Sequence, residues 1–349
     1  MSLSLLKPIY LCKPISSVAT LARTLDIAEA DLLSVASRAD DLYRAVKPKP
    51  GSTRETFDAH KPLKVVHARI KRAILERVKF PFYLTGSLKG RDYKDNAELH
   101  AGQAVVICED VKGFFGAVTQ DLVLDIWRSF FRFDPEVAKL LTRLTTKDGA
   151  LPQGAIPSSY LANLAFWRDE PLLQAKLQAQ NIRYSRYVDD IAMSSAVSLV
   201  AGQKTQLIAS VYGMLRKNGL SARRDKHEII PATKRMVATK LIINRKPSLP
   251  PKRRAKARAA VFQAEAEVKA AAEAGNAGKA VEVLTRAANQ VGQLGRFHPN
   301  LAEPLKARLA EARNRLPKMP AMPVITGKSV VQDGDAETPP WMPLPEDNG

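Results

Sequence analysis

Arg186-Tyr187-Val188-Asp189-Asp190-Ile191-Ala192-Met193-Ser194 sets two acids side by side between two apolar runs. Tyr184, Arg186 and Val188 alternate on one side, and Ile191 and Met193 on the other. A period of two predicts a β-hairpin with the acids at its tip. Adjacent carboxylates repel, and each raises the other's pKa unless a cation lies between them. A divalent metal is the usual reason to build such a tip. An exposed turn is the plainer alternative, because Asp is a common turn residue.

Working outward, Ala104-Val105-Val106-Ile107-Cys108 is an apolar strand-type run that ends in Glu109-Asp110-Val111-Lys112-Gly113-Phe114-Phe115. A sheet holds a terminal carboxylate rigidly, which suits a metal ligand. The same Asp also suits the cap of a following helix. Residues 117–145 read as helices. Gly149-Ala150-Leu151-Pro152-Gln153-Gly154-Ala155 is a turn-rich loop with Gln153 as a buried-amide candidate. It feeds a long helix from about Ser158 to Gln180. After the hairpin come a helix over about 199–218, a short strand near Glu228–Ile230, and a strand pair in Met236–Asn244.

Before Asp110, residues 15–45 look helical, with Leu21, Leu25, Ile27, Leu32, Leu33 and Leu42 at helical spacings. Lys47 to Ser52 is a breaker cluster and a joint. A helix over Pro62–Val78 buries Leu63, Val66, Ile70 and Ile74. Its other face, with Lys64, Arg69, Lys71 and Arg72, is either solvated or turned to phosphate. Thr85 to His100 is polar and Gly-punctuated, and reads as a loop. There Lys89 and Arg91, beside Gly86 and Gly90, either clamp a triphosphate or form a charged surface.

The chain carries 54 Lys+Arg against 35 Asp+Glu, a net charge of +19, which suggests a polyanionic partner, nucleic acid before an anionic membrane surface. No apolar run is long enough to span a bilayer, and the N-terminus lacks the order of a signal peptide. Cys12 and Cys108 make no metal-ligand spacing, and a reducing cytoplasmic setting fits them. Basic residues concentrate between Arg216 and Arg258 and are densest over Arg245–Arg258, where no acid stands among them. A nucleic-acid groove explains this better than a solvated face, because the flanking segments look folded. Residues 252–274, 279–291 and 300–315 are three Ala/Leu-rich helical segments. Pro317 to Gly349 is Pro-rich and is expected to be a disordered tail.

Each of these motifs is weak alone, and their order is specific. A strand ending in Asp110 with Phe114-Phe115 beyond it, Leu151-Pro152-Gln153-Gly154 before a helix, Tyr187-Val188-Asp189-Asp190 in a hairpin, and a basic loop with Lys226 resemble a reverse transcriptase. The resemblance covers about residues 20–315. It implies an α+β right-hand polymerase, with fingers and palm (an antiparallel palm sheet packed on helices) and a C-terminal helical thumb. The implied divisions are an N-terminal helical region (1–50), a fingers and palm core (51–235), primer-grip strands (236–251), a helical thumb (252–316) and the tail (317–349).

Joining nucleotides in line calls for two metal ions stabilising the attacking and leaving oxygens. The resemblance assigns Asp110, Asp189 and Asp190 to hold two Mg²⁺ ions, and Lys226 to protonate the departing pyrophosphate. It assigns Phe115 to exclude a ribose 2′-hydroxyl, Gln153 and Tyr187 to the incoming nucleotide, and Lys89 and Arg91 to its triphosphate.

A narrower resemblance lies in Asn96-Ala97-Glu98-Leu99-His100, which matches the Asn-Ala-x-x-His signature of bacterial retron reverse transcriptases. These enzymes use a structured non-coding RNA as template and primer, and leave a branched RNA–DNA product (msDNA). Their family role is antiphage defence, with an accessory effector protein. On this reading Asn96, His100, Lys252, Arg253 and Arg254 bind RNA. The partners are that RNA, its RNA–DNA hybrid and deoxynucleoside triphosphates, with no membrane.

The loop Ala155-Ile156-Pro157-Ser158-Ser159 differs from the usual Ala-Pro-Thr-Ser-Pro, and two further departures from the retron pattern matter more. Val188 stands where Ala is usual, and Val237-Ala238-Thr239 stands where Val-Thr-Gly is usual. A non-retron, domesticated reverse transcriptase and a non-catalytic RNA-binding protein on a polymerase scaffold remain the alternatives.

Overall fold

The computed structural model describes residues 3–48, 55–274 and 277–316, which fall into two compact units, 3–239 and 240–316. The tail from Pro317, and the end of the breaker cluster at 49–52, lie outside the described residues. In the first unit the elements preceding the central sheet are β1 (Ile9–Tyr10), α1 (Val18–Leu25), α2 (Glu29–Ser37), β2 (Tyr43–Val46), β3 (Thr56–Ala59), α3 (Lys61–Ala73), β4 (Val78–Lys79) and α4 (Tyr93–His100). Then come β5 (Val105–Asp110), α5 (Phe114–Ala117), α6 (Gln120–Asp125), α7 (Pro135–Thr145), α8 (Ser158–Leu164), α9 (Glu170–Ala179), β6 (Ile182–Tyr187), β7 (Asp190–Ser195), α10 (Ala201–Lys217), β8 (Glu228–Pro231) and β9 (Val237–Ala238).

The architecture is α+β, organised on a four-stranded antiparallel sheet of order β6-β7-β5-β8. The period of two seen in the sequence decides which side each residue takes. Ile107, Glu109, Tyr184, Arg186, Ile191 and Met193 share the face packed on helices, where Tyr184 and Met193 are almost wholly buried. Asp110, Cys108, Asp190, Ala192, Ser185 and Tyr187 share the other face, because directly paired residues of antiparallel strands point the same way. One continuous apolar core joins the helix-side face to α1, α2, α3, α7, α8 and α10.

Four segments differ from their sequence reading. Residues 15–45 are not helical throughout. Asp26 turns left-handed (φ 54°) and ends α1, α2 stops at Ser37, and Tyr43–Val46 pairs with Thr56–Ala59 in a hairpin instead. The helix from Pro62 ends at Ala73, and Val78–Lys79 becomes a strand paired with β1. The segment 85–100 is not all loop. Asp92 accepts from the Lys94 and Asp95 amides while the Asp95 side chain accepts from the Asp92 amide, a capping box that starts α4. The long helix predicted over 158–180 is two helices, α8 and α9. Pro171 in the first turn of α9 explains the restart, since proline is tolerated there and not in a helix interior.

The second unit holds β10 (Leu241–Ile242), α11 (Pro251–Ala274), α12 (Gly278–Gly295) and α13 (Pro299–Asn314). Buried Ala257, Val261, Ala264, Val268 and Ala271 alternate steps of four and three along α11. Ala280, Leu284, Ala287, Val291 and Leu294 do the same on α12, and Ala302, Leu305, Leu309 and Ala312 on α13. That spacing keeps one narrow seam facing the neighbouring helices, and its alanines allow close approach.

Candidate active site

The register of the sheet brings the acids together. Asp110 pairs directly with Asp190, and the Val111 amide donates to the Asp189 carbonyl at 3.0 Å. Because Val111 and Asp189 form a hydrogen-bonded pair, Asp110 and Asp190 form the neighbouring non-bonded one. In such pairs the Cα atoms come within about 4.5 Å and the side chains approach most closely. Asp110 is 5% exposed, whereas Asp190 is open to solvent and Asp189 is half-buried. Tyr187 pairs with Asp190 and closes the hairpin, with Val188 and Asp189 as its two-residue loop.

Lys226 arrives by a separate route. The chain after α10 runs along the end of β5, with the Lys112 amide donating to Ser221 and the Arg223 amide donating to the Asp110 carbonyl at 2.7 Å. A single 3₁₀ turn, Arg224–Lys226, then lays the Lys226 ammonium 2.5 Å from Asp110 Oδ2. Behind Asp110, on the helix side of the sheet, the buried Glu109 carboxylate accepts from Tyr212 and pairs with His227 Nδ1 at 2.6 Å.

Among the described residues no three His, Cys, Asp or Glu side chains are already gathered as a metal cluster. The donor set nevertheless fits a hard divalent cation. It consists of carboxylate oxygens on one edge and one face of a rigid sheet, and Asp110 already draws a cationic group onto its oxygen.

Phe115 lies five residues beyond Asp110 in α5, half-buried and tilted against Phe114 at 6.1 Å between ring centroids. Gln153 is half-buried, and its carbonyl accepts from the Phe57 amide of the β2–β3 hairpin at 2.8 Å. Gly154 follows at φ 107°, and a Cβ there would meet the Phe57 carbonyl at 2.6 Å, so the hairpin's approach requires glycine. Lys89 is exposed in a cleft of about 300 Å³, beside Lys79, Phe80, Arg91 and Tyr160.

The Arg91 guanidinium donates to the carbonyls of Phe80, Pro81 and Leu84, so it pins a loop at the edge of the Lys89 cleft. Two expected RNA contacts are corrected. Asn96 and His100 are buried, at 1% and 0% exposure, and cannot touch RNA in this fold. Asn96 Nδ2 donates to Thr85 Oγ1 and Ser185 Oγ, and His100 bridges Ser185 (Nε2, 2.7 Å) and Ser194 (Nδ1, 2.7 Å). Burial, with the Arg183 charge adding to it, pushes His100 down to about 3, so the ring is neutral and serves as one donor and one acceptor. The pair fastens α4 to β6 and β7. Lys252, Arg253 and Arg254 sit in the first turn of α11, in the second unit.

The site also contains residues that the sequence reading did not single out. Arg186 and Glu170 form a fully buried ion pair under the hairpin, and Tyr184 donates to Glu170 at 2.6 Å. The only signal in the sequence was a charge at Arg186, on the alternation of an apolar face, which implies a buried partner without naming it.

A small antiparallel sheet that presents acids from two neighbouring strands, backed by helices, is the palm of a right-hand polymerase. The chain belongs to the reverse transcriptase (RNA-dependent DNA polymerase) family, whose sequence pattern matches residues 46–244. Its relatives include the retron Se72 reverse transcriptase of Salmonella heidelberg (strain 579083-10), 34% identical over 64% of this chain and 60% of that protein. The retron Ec48 reverse transcriptase of Escherichia coli is 30% identical over 62% of this chain and 56% of its own length. The chain therefore spans less than two thirds of the length of these relatives. Among solved structures, it is similar to a chain in the structure of telomerase from Candida albicans in complex with a TWJ fragment of telomeric RNA. That match has 11% identity and a TM-score of 0.38, over 72% of this chain and 51% of the other.

Proposed function

We propose that this protein is a retron-type RNA-directed DNA polymerase. It copies a structured non-coding RNA, which also primes synthesis, into branched, RNA-linked single-stranded DNA for antiphage defence. The observation that carries the reading is the direct pairing of Asp110 with Asp190 beside Asp189, inside the segment that matches the family. Asp110, Asp189 and Asp190 would hold two Mg²⁺ ions, which when bound stabilise the attacking and departing oxygens of an in-line displacement.

The chain's own groups supply the rest. Lys226, held at Asp110 by the 3₁₀ turn, stands where a proton is handed to the departing pyrophosphate. Phe115 stacks under the sugar and leaves no room for a 2′-hydroxyl. Tyr187 and Gln153 contact the incoming nucleotide, and Lys89 lends charge to its phosphates. Lys252, Arg253 and Arg254 on α11 bind the RNA or its hybrid through phosphates. In this arrangement residues 55–235 make up fingers and palm, 236–251 the primer grip, and 252–316 the thumb. The setting is the bacterial cytoplasm, with an accessory effector as partner.

The test is to express the gene with several hundred flanking bases on each side and to run extracted nucleic acid on a denaturing gel. The gel is read before and after RNase and debranching treatment, beside Asp189→Asn/Asp190→Asn. A small DNA that needs both acids, and whose mobility shifts on debranching, is the expected result. An acid-dependent DNA without a branch rejects the retron reading and keeps the polymerase. Absence of synthesis there and on a primed RNA template with Mg²⁺ rejects both.

A further inference from the structure

The loop that carries Asp189 is strained. Val188 sits at φ 60° and is followed by a residue that does not share that sign, the pattern of a type II′ hairpin turn, whose first position is normally glycine. A β-branched side chain there costs on the order of 1–3 kcal/mol and persists only where its surroundings over-determine it.

Those surroundings converge on one side chain. Arg186, wholly buried, uses all its N–H groups. Nε and Nη2 donate to the two oxygens of Glu170 at 2.7 Å each. Nη2 also donates to the Asn163 carbonyl at 3.0 Å, and Nη1 reaches Asn163 Oδ1 at 3.4 Å. The remaining donor, on Nη1, goes to the Val188 carbonyl at 3.1 Å, two residues ahead in the turn itself. Asn163 in turn donates to the Gly86 carbonyl at 2.8 Å, and Gly86 lies so close beneath Val188 that a Cβ would come within 2.4 Å of the Val188 amide nitrogen. Phe166 and Phe114, stacked on each other, also approach the guanidinium, with ring centroids 5.1 and 5.7 Å from it.

We infer that Glu170 and Arg186 form a positioning brace that holds Val188 in its left-handed conformation and so aims Asp189 and Asp190. This rests on the polymerase reading of the acids. Glu170 fixes the plane of the guanidinium, the guanidinium fixes the Val188 carbonyl, and the carbonyl fixes the turn. Neither residue touches substrate. Replacing both partners together avoids leaving a lone buried charge, and measuring synthesis well below the melting point separates aim from stability.

The experiment compares wild type with Glu170→Met/Arg186→Met and with the same pair carrying Val188→Gly. Thermal melting, steady-state synthesis on a primed RNA template over a Mg²⁺ series, and amide hydrogen exchange are measured on each. The paired variant is expected to melt below wild type, since it strands the Tyr184 hydroxyl and the Asn163 and Val188 acceptors, so synthesis is measured well below its melting point. Its kcat should fall about tenfold or more, its Mg²⁺ midpoint should rise about threefold or more, and its nucleotide KM should stay within about twofold. Exchange should speed up at residues 186–191 and at Val111, with the rest of β5 and β8 unchanged. Val188→Gly should restore much of the lost kcat, since glycine takes positive φ without the brace.

A paired variant with wild-type kcat, Mg²⁺ midpoint and exchange overturns the inference. So does a loss of kcat that Val188→Gly leaves untouched while exchange stays at wild-type rates. If wild type itself makes no DNA, the polymerase reading fails, and the exchange result alone decides whether the brace holds the turn. Should the paired variant not fold, Glu170→Gln takes its place with the same readouts and the same deciding outcomes.

Discussion

His100→Ala separates two readings of the Asn-Ala-x-x-His segment. If His100 bound RNA, the substitution would weaken binding and leave the fold alone. The structure demands the reverse. The imidazole is fully buried and bridges Ser185 and Ser194. Removing it leaves Ser194 without its bridge, which costs about 1–3 kcal/mol for a stranded buried hydroxyl. Ser185 keeps its bond from Asn96. The cavity left by the ring adds about 2–4 kcal/mol, by analogy with other large-to-small core changes. The sum, about 3–7 kcal/mol, is a large part of the stability of an ordinary domain. It corresponds to a fall in melting temperature of roughly 6–28 °C.

Acid titration gives an independent readout. His100 is held down to about 3 by burial and His67 to about 4, against 6.5 for a free ring. Between those values the unfolded chain binds more protons than the folded one, so stability is full above pH 6.5 and falls as the pH drops. The slope is up to about 1.4 kcal/mol per pH unit for each ring. His100→Ala should flatten that slope between pH 6 and 4. Thermal melts across this range, with RNA affinity measured well below the melting point, decide the matter. An unchanged melting temperature and slope together with a tenfold weaker RNA affinity would refute the internal role.

Asp189→Asn is expected to abolish DNA synthesis while shifting stability by no more than about 0.5 kcal/mol, since the side chain is half-exposed. Circular dichroism melting beside a primer-extension assay checks this. Phe115→Ala should admit ribonucleotides, seen as a fall of tenfold or more in the ratio of deoxy- to ribonucleotide kcat/KM; an unchanged ratio removes Phe115 from that role. Arg91→Ala should cost about 2–4 kcal/mol by stranding the carbonyls of Phe80, Pro81 and Leu84. Its KM for nucleotide should stay within about twofold of wild type, whereas a triphosphate clamp would raise it far more.

What the sequence made legible follows from the range of the signal. The hairpin over 182–195 and the strand ending in Asp110 read correctly, because alternation of apolar and polar residues is local and the sheet enforces it. The heptad-like seams of α11 to α13 were equally visible as Ala/Leu-rich segments. Helix α4 was missed although Asp92 and Asp95 spelled its capping box, because Gly86, Gly90 and a run of polar residues around them argued for a loop. The Asn96–His100 segment was located and its role inverted, since a motif does not reveal which way its side chains face. The partner of Arg186 was out of reach. Glu170 stands 16 residues away at the start of another helix, and nothing local ties the two. The same holds for the Asp110–Lys226 contact: resemblance assigned Lys226 a role but not this partner.

That last contact has a consequence in time. Asp110 and Lys226 lie 116 residues apart, and β5 finds its partners β7 and β8 only after both have been synthesised. At ~5–20 residues per second, a ribosome needs about 6–23 s to travel from one to the other. Until β7 is made Val105, Val106 and Ile107 have neither β-partner, and until β8 is made one edge of their strand stays unpaired. The pairing of Asp110 with Asp190, on which the proposed site rests, can form only after β7 has left the ribosome, long after β5.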